Sequence, residues 1–189
     1  VAAPQYFPNF ITDHVHTPQG FVDAGAYNGD TLAEAMRYLP LREAWAFEPD
    51  PANFPLLAER ARSLGAPVTC LPCGVSSVNA SLSFCGGHGD ASTLGSEGNS
   101  HIQALRLDDC LPNARVDYLK LDVEGHELEA LTGAEALIRR NRPTLAIAGY
   151  HRRDDLWRIP AWITQLGLDY RLRFRIHAHN SFDAVFYAY

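Results

Sequence analysis

The sequence predicts a single α/β domain on a mostly parallel sheet with helices on both faces, and three observations carry that expectation. Apolar runs of strand length alternate with segments of helical period, the pattern of a parallel sheet covered on both sides. The chain has 189 residues, enough for one domain that buries most of its apolar surface and short for two. Two strand-like segments close the chain with too little between them for a helix, which implies a final antiparallel hairpin.

Residues 1–19 read as a lead-in to residues 20–24, a short buried strand. Asp30 then opens a helix that places Leu32, Ala35, Met36 and Leu39 on one face before Pro40 stops it. Ala44 to Phe47 is the second strand. Phe54, Leu57, Ala61 and Leu64 share the face of the next helix, which Gly65 closes. Pro67 to Leu71 is the third strand. Ser81 to Cys85 and Gln103 to Leu107 read as short strands around GGHGDASTLGSEGNS (86–100), a Gly/Ser-rich stretch that reads as a mobile loop. Val116 to Val123 is the fourth long strand, and the following helix turns Leu128, Leu131, Ala134 and Ile138 inward until RRNRP ends it. Thr144 to Ala148 is the fifth. A helix over Pro160 to Leu166 precedes the closing strands Tyr170 to Ile176 and Phe182 to Tyr189. No linker or repeat divides residues 1–189.

Sixteen Lys and Arg against 22 Asp and Glu give a net charge of -6, which disfavours a nucleic-acid backbone as partner. No apolar run approaches the ~20 residues that span a bilayer, and VAAPQYFPNF lacks the basic start and long apolar core of a secretion signal. The chain starts at Val1, as a piece excised from a longer protein would. Cys70, Cys73, Cys85 and Cys110 include one C-x-x-C without a second pair to complete a zinc site, so packed, reduced thiols in a cytoplasmic protein are expected.

FVDAGAYNGDT (21–31) places Asp23, Gly25 and Gly29 where a strand turns into a helix, so the backbone can approach a ligand at the sheet's carboxyl edge. Nicotinamide- and flavin-binding folds use G-x-G-x-x-G there to receive a pyrophosphate. A carboxylate at that tip repels a pyrophosphate, whereas the ammonium and sulfonium of S-adenosylmethionine favour it. The competing reading of Asp23 is a helix cap or a partner of Lys120. AFEPDP (46–51) ends the second strand with Glu48, about where such a sheet places the acid that accepts both ribose hydroxyls. Lys120, in an otherwise apolar strand, should be ion-paired with Asp122 or Asp23 if buried.

These segments resemble the FkbM-type methyltransferases, from about Tyr6 to Tyr189. FVDAGAYNGDT looks like the family's first motif, AFEPDP its second, and LDD (107–109) the lead-in to YLKLDVEGHELEALTGA (118–134), the most distinctive. LAIAGYHRRDDLWRIPAWI and the closing hairpin with Arg175 and FYAY are also similar. The resemblance implies a class I methyltransferase (Rossmann-like) seven-stranded sheet with its last strand antiparallel. It places Asp23, Gly25, Asn28, Gly29, Asp30 and Thr31 around the methionine part of S-adenosylmethionine and Glu48 on the ribose. Cys73, Gly74 and Val75 stand where such folds usually contact adenine.

Methyl transfer is an in-line displacement, so alignment of the acceptor dominates, and a hydroxyl acceptor also needs a base. The tips of the fourth and fifth strands offer Asp122, Glu124, His126, Tyr150 and His151. His151, with Asp122 or Glu124 as partner, is the favoured base, since an imidazole of reference pKa ~6.5 is largely free base near neutrality. The alternative has Glu124 capping the next helix and His151 packed on Trp157. Arg175, His177 and His179 would hold a polar or acidic substrate, or stand exposed. No ligand spacing such as H-x-x-x-H supports a metal, and none is expected. The expected function is O-methylation of a small molecule or sugar; the competing classes are an NAD(P)-binding oxidoreductase and a non-catalytic cofactor-binding domain. The sequence does not indicate an oligomeric state.

Overall fold

The computed structural model describes residues 4–65, 67–85, 93–94, 100–177 and 183–189. Its main sheet has seven strands: β1 Gln19–Ala24, β2 Leu41–Phe47, β3 Val68–Leu71, β8 Tyr118–Leu121, β9 Thr144–Ala148, β10 Leu172–Ile176 and β11 Ala184–Ala188. They lie in the order β10-β11-β9-β8-β1-β2-β3, and β11 runs antiparallel to both its neighbours. This is the sheet that the resemblance implied. Between β3 and β8 the chain forms a four-stranded sheet of its own, with β4 Gly74–Val75, β5 Ala80–Cys85, β6 Thr93–Leu94 and β7 Ser100–Leu105 in the order β4-β7-β5-β6.

Buried central strands explain the near-continuous apolar runs, because alternate residues feed two cores. Val22, Leu119 and Leu145 join one core with α5 Glu127–Thr132, α6 Glu135–Asn141 and α7 Asp155–Gln165. Phe21, Tyr118 and Ala146 join the other with Phe7, Ile11 in α1 Asn9–Thr12, Leu32 in α2 Asp30–Tyr38 and Leu57 in α3 Phe54–Leu64. The lead-in is therefore part of the core. Tyr118 donates its hydroxyl proton to the Tyr6 carbonyl, and Tyr187 donates to that of Gln5.

The structure revises several expected boundaries. Leu107 does not end a strand; it starts the short helix α4 Leu107–Cys110 and is fully buried. The helix expected through Ala134 is broken into α5 and α6. A Cβ on Gly133 would lie 1.9 Å from the Ser76 carbonyl oxygen, so the chain meets the β4 segment where a continuous helix of larger residues would collide. The helix expected from Pro160 begins at Asp155, whose carboxylate accepts the Arg152 N–H at 2.9 Å. Pro160 lies inside it and forgoes one helical hydrogen bond, next to Leu156 and Trp157, which face water. Most of 86–100, the expected mobile loop, lies outside the described residues; within it, residues 93–94 form β6 and Ser100 begins β7. Among the described residues no helix is long and apolar enough to cross a membrane, and Cys70, Cys73 and Cys110 are free thiols.

Candidate functional site

The site is built at the carboxyl tips of β1, β2, β8 and β9. The loop after β1 is tied to the end of β2: Phe47 carbonyl oxygen accepts the N–H groups of Gly25 and Ala26, each at 3.0 Å. Glu48 continues the clamp, with Oε2 accepting the Tyr27 N–H and Oε1 the Asp50 N–H, both at 2.8 Å. Burial pushes the Glu48 carboxyl up, against the two N–H donors that favour its charged form. Both oxygens are oriented by backbone while retaining lone pairs. Asp50 thus serves the Glu48 turn through its N–H, and its carboxylate accepts the Ala52 N–H at 2.8 Å.

Gly25 has φ +77°, and a Cβ there would lie 1.7 Å from the Asp122 carbonyl oxygen. The glycine is required so that the turn can close on the end of β8, a role distinct from the ligand approach expected of it. The other expected residues of this loop hold the start of α2: Asn28 Oδ1 accepts the Asp30 N–H at 3.1 Å, and Asp30 Oδ1 accepts the Thr31 N–H at 2.7 Å. Gly29 precedes that helix with φ +80°.

Asp23 and Lys120 stand directly opposite in the parallel register of β1 and β8, and both are almost wholly buried. The ammonium is 2.9 Å from Asp23 Oδ1, so pairing, the competing reading of Asp23, is realised. Lys120 also donates to the Gly25 carbonyl at 2.6 Å, which braces the glycine turn from below. Burial raises the Asp23 pKa while Lys120 opposes it; burial depresses that of Lys120, but Asp23 and Asp122 leave it raised. Neither Asp23 oxygen has a well-aligned hydrogen bond among the described residues, so Oδ2 remains an acceptor without a donor.

Around His151 the structure gathers more than was expected. Nε2 lies 3.4 Å from both Asp122 Oδ1 and Glu124 Oε2, and Nδ1 lies 2.8 Å from Glu127 Oε1. Burial works to lower the pKa of the ring, but Glu127, Asp122 and Glu124 overcome it and raise it to about 9. The reference value near 6.5 therefore does not apply, and at neutral pH the ring holds a proton when only these neighbours are present. Its aromatic neighbour is Tyr150, 4.1 Å between centroids, while Trp157 stands 62% exposed.

Two residues that the sequence reading missed complete this cluster. Glu127 is fully buried, and its Oε1 accepts the N–H groups of Val123 at 3.0 Å and Gly125 at 3.4 Å, folding the 122–125 loop back over the start of α5. That fold holds Glu124 at φ +54°, a conformation non-glycine residues rarely adopt. Tyr6, from the lead-in, donates to Asp122 Oδ2 at 2.7 Å, and its ring lies 5.2 Å from the Lys120 ammonium. Tyr150 donates to the other Asp122 oxygen at 3.3 Å. Glu127 had a visible signal, as an acid in the first turn five residues beyond Asp122; Tyr6 had none.

Not every expected residue joins this group. Cys73 and Val75 are buried in the core, and burial beside Cys110 pushes the Cys73 thiol up to about 12. Asp30 and Thr31 line a cavity of about 370 Å³ with Gln5, Tyr6, Glu34 and Arg60. The Arg175 guanidinium lies 5.9 Å from the Phe10 ring centroid, His177 shares a 2.7 Å hydrogen bond with the Tyr187 hydroxyl, and His179 is outside the described residues.

Residues 23–175 match the methyltransferase FkbM domain. Over 98 residues the chain is 35% identical to the hexuronic acid methyltransferase AglP of Haloferax volcanii, covering 47% of this chain and 40% of that protein. The crystal structure of the methyltransferase FkbM from Methylobacillus flagellatus KT superposes with a TM-score of 0.79 at 26% identity, over 100% of this chain and 48% of that one. The chain thus spans about half the length of these relatives or less. The precorrin-6y C5,15-methyltransferase of Geobacter metallireducens GS-15, at 14% identity and TM-score 0.58 over 94% of this chain and 83% of that one, shares the fold.

Proposed function

The chain belongs to the methyltransferase FkbM domain family, and on that premise we propose that it transfers a methyl group from S-adenosylmethionine to an oxygen of a small molecule or sugar. The observation that carries the reading is Glu48: a buried carboxylate at the tip of β2, oriented by the Tyr27 and Asp50 N–H groups, with lone pairs left for a diol. Asp23 Oδ2, a buried acceptor without a donor among the described residues, suits the ammonium of the methionine part. On this reading Asn28 and Gly29 continue the same wall, Asp30 and Thr31 line the cavity beside it with Tyr6, and the backbone of Cys73, Gly74 and Val75 lies on the adenine side.

S-adenosylmethionine supplies a methyl on a positively charged sulfur: the acceptor oxygen forms its bond to carbon as the carbon–sulfur bond breaks, leaving S-adenosylhomocysteine. The chain's own work is to hold the acceptor in line and to take the proton a hydroxyl gives up. Of the groups at the β8 and β9 tips, the carboxylates of Asp122 and Glu124 take the proton, and His151, which already holds one at neutral pH, helps to hold the acceptor. Glu127 positions the ring, and Tyr6 and Tyr150 fix Asp122. The Haloferax relative is named for a hexuronic acid, which offers both hydroxyls and a carboxylate, and a carboxylate acceptor needs no proton removed.

Incubation with methyl-labelled S-adenosylmethionine and a panel of sugars, hexuronic acids among them, tests this reading. Label should appear on an oxygen of one class, and Asp122→Asn should lower the rate at least a hundredfold. Cofactor bound without transfer to any member would favour a non-catalytic cofactor-binding domain.

A further inference from the structure

Three carboxylates, Asp122, Glu124 and Glu127, surround one imidazole, so the cluster carries excess negative charge in either state of the ring. A donor atom from each of Asp122, Glu127 and His151 lies within 4.8 Å of the others. The His151 side chain is only 9% exposed, yet Nε2 has no hydrogen-bond partner among the described residues, although Asp122 Oδ1 and Glu124 Oε2 are each 3.4 Å away. Such a buried nitrogen, facing two carboxylates without bonding either, calls for an explanation. Its spacing is that of neighbouring ligands on a small divalent cation, where bonds of about 2.0 to 2.2 Å at roughly 100° put ligand atoms about 3.1 to 3.4 Å apart.

We infer that this cluster binds a divalent cation of the manganese kind through His151 Nε2 and the carboxylates of Asp122 and Glu124. Mixed imidazole and carboxylate donors without a thiolate suit such an ion. Glu127, 2.8 Å from Nδ1, is the carboxylate behind a metal-bound histidine that fixes the orientation of the ring. Sequence spacing gave no hint of this, because Asp122 and His151 come from the ends of different strands. The task of the cation, though not its binding, rests on the proposed methyl transfer: an acceptor hydroxyl on the ion loses its proton more readily.

Titration of Mn²⁺ into the chain, followed by the paramagnetic resonance signal of the free ion, tests the site. One ion should bind per chain, with affinity at least tenfold weaker in Asp122→Asn and in Glu124→Gln. Glu124, at 29% against 21%, is the more exposed of the two carboxylates, so if Asp122→Asn fails to fold, Glu124→Gln decides. An undiminished free-ion signal with the folded parent chain, or unchanged affinity in the folded variants, overturns the inference. Calorimetry with S-adenosylhomocysteine on the same sample separates the two ideas. Cofactor bound without Mn²⁺ removes only the cation site; Mn²⁺ bound without cofactor removes only the cofactor reading.

Discussion

Lys120 shows how one residue can serve the fold and the site together. Its ammonium pairs with Asp23 and reaches the Gly25 carbonyl, so removing it strands a buried carboxylate and unbraces the Gly25 turn. Lys120→Met should cost about 3 to 5 kcal/mol in chemical denaturation, and adding Asp23→Leu should recover a large part of that loss, because the penalty of an unpaired buried charge exceeds the net value of the pair. Glu48 carries a pH prediction. Burial raises its pKa, and the ionised form is the better acceptor for hydroxyls, so affinity for S-adenosylhomocysteine should fall as pH is lowered. Calorimetry across a pH series should show the fall beginning above the ordinary glutamate range of about 4.3, and Glu48→Gln should weaken binding and abolish that dependence. Asp23, Glu48, Asp122 and His151 were legible in the sequence because they end apolar runs, where a polar residue needs a reason. Tyr6 was not, because a distant lead-in reaches the site only through the tertiary fold; Glu127 showed as an acid in the first turn after Asp122, but its burial under the 122–125 loop is set by the fold.

At the scale of elements, the reading succeeded where unbroken apolar runs of strand length left little choice, and β9 was placed residue for residue. It failed where a contact overrides propensity. Gly133 interrupts a segment whose Leu128, Leu131, Ala134 and Ile138 keep helical spacing across the break, because the chain there abuts the Ser76 carbonyl. Gly133→Ala gains about 1 kcal/mol of helix propensity, but its Cβ would overlap that carbonyl oxygen at 1.9 Å. Overpacking of a fixed backbone group costs about 1 to 3 kcal/mol or more. The expected net effect is destabilisation, read as a lower midpoint in urea; a stabilised variant would contradict this account of the break. The early start of α7 has a similar cause, since the Asp155 carboxylate gathers the Arg152 N–H and begins the helix ahead of its proline.

For the whole molecule, the sheet brings the tips of four central strands to one edge, where residues from separate segments meet. Glu48 and the Gly25 turn form one side, and the His151 cluster the other. Asp122 joins them, since its carbonyl lies under Gly25 and its carboxylate faces His151. A ligand that binds only the folded chain stabilises it by about 2.7 kcal/mol at a hundredfold excess over its Kd, which for a chain of this size raises the melting temperature by roughly 5 to 10 °C. The decisive measurement is calorimetric titration of the folded chain with S-adenosylhomocysteine, alongside Glu48→Ala. One molecule bound per chain, with binding weakened at least tenfold in the variant, is the predicted result. Absence of binding to the folded chain, or undiminished binding to Glu48→Ala, would contradict the assignment of the β1 and β2 tips as the adenosylmethionine site.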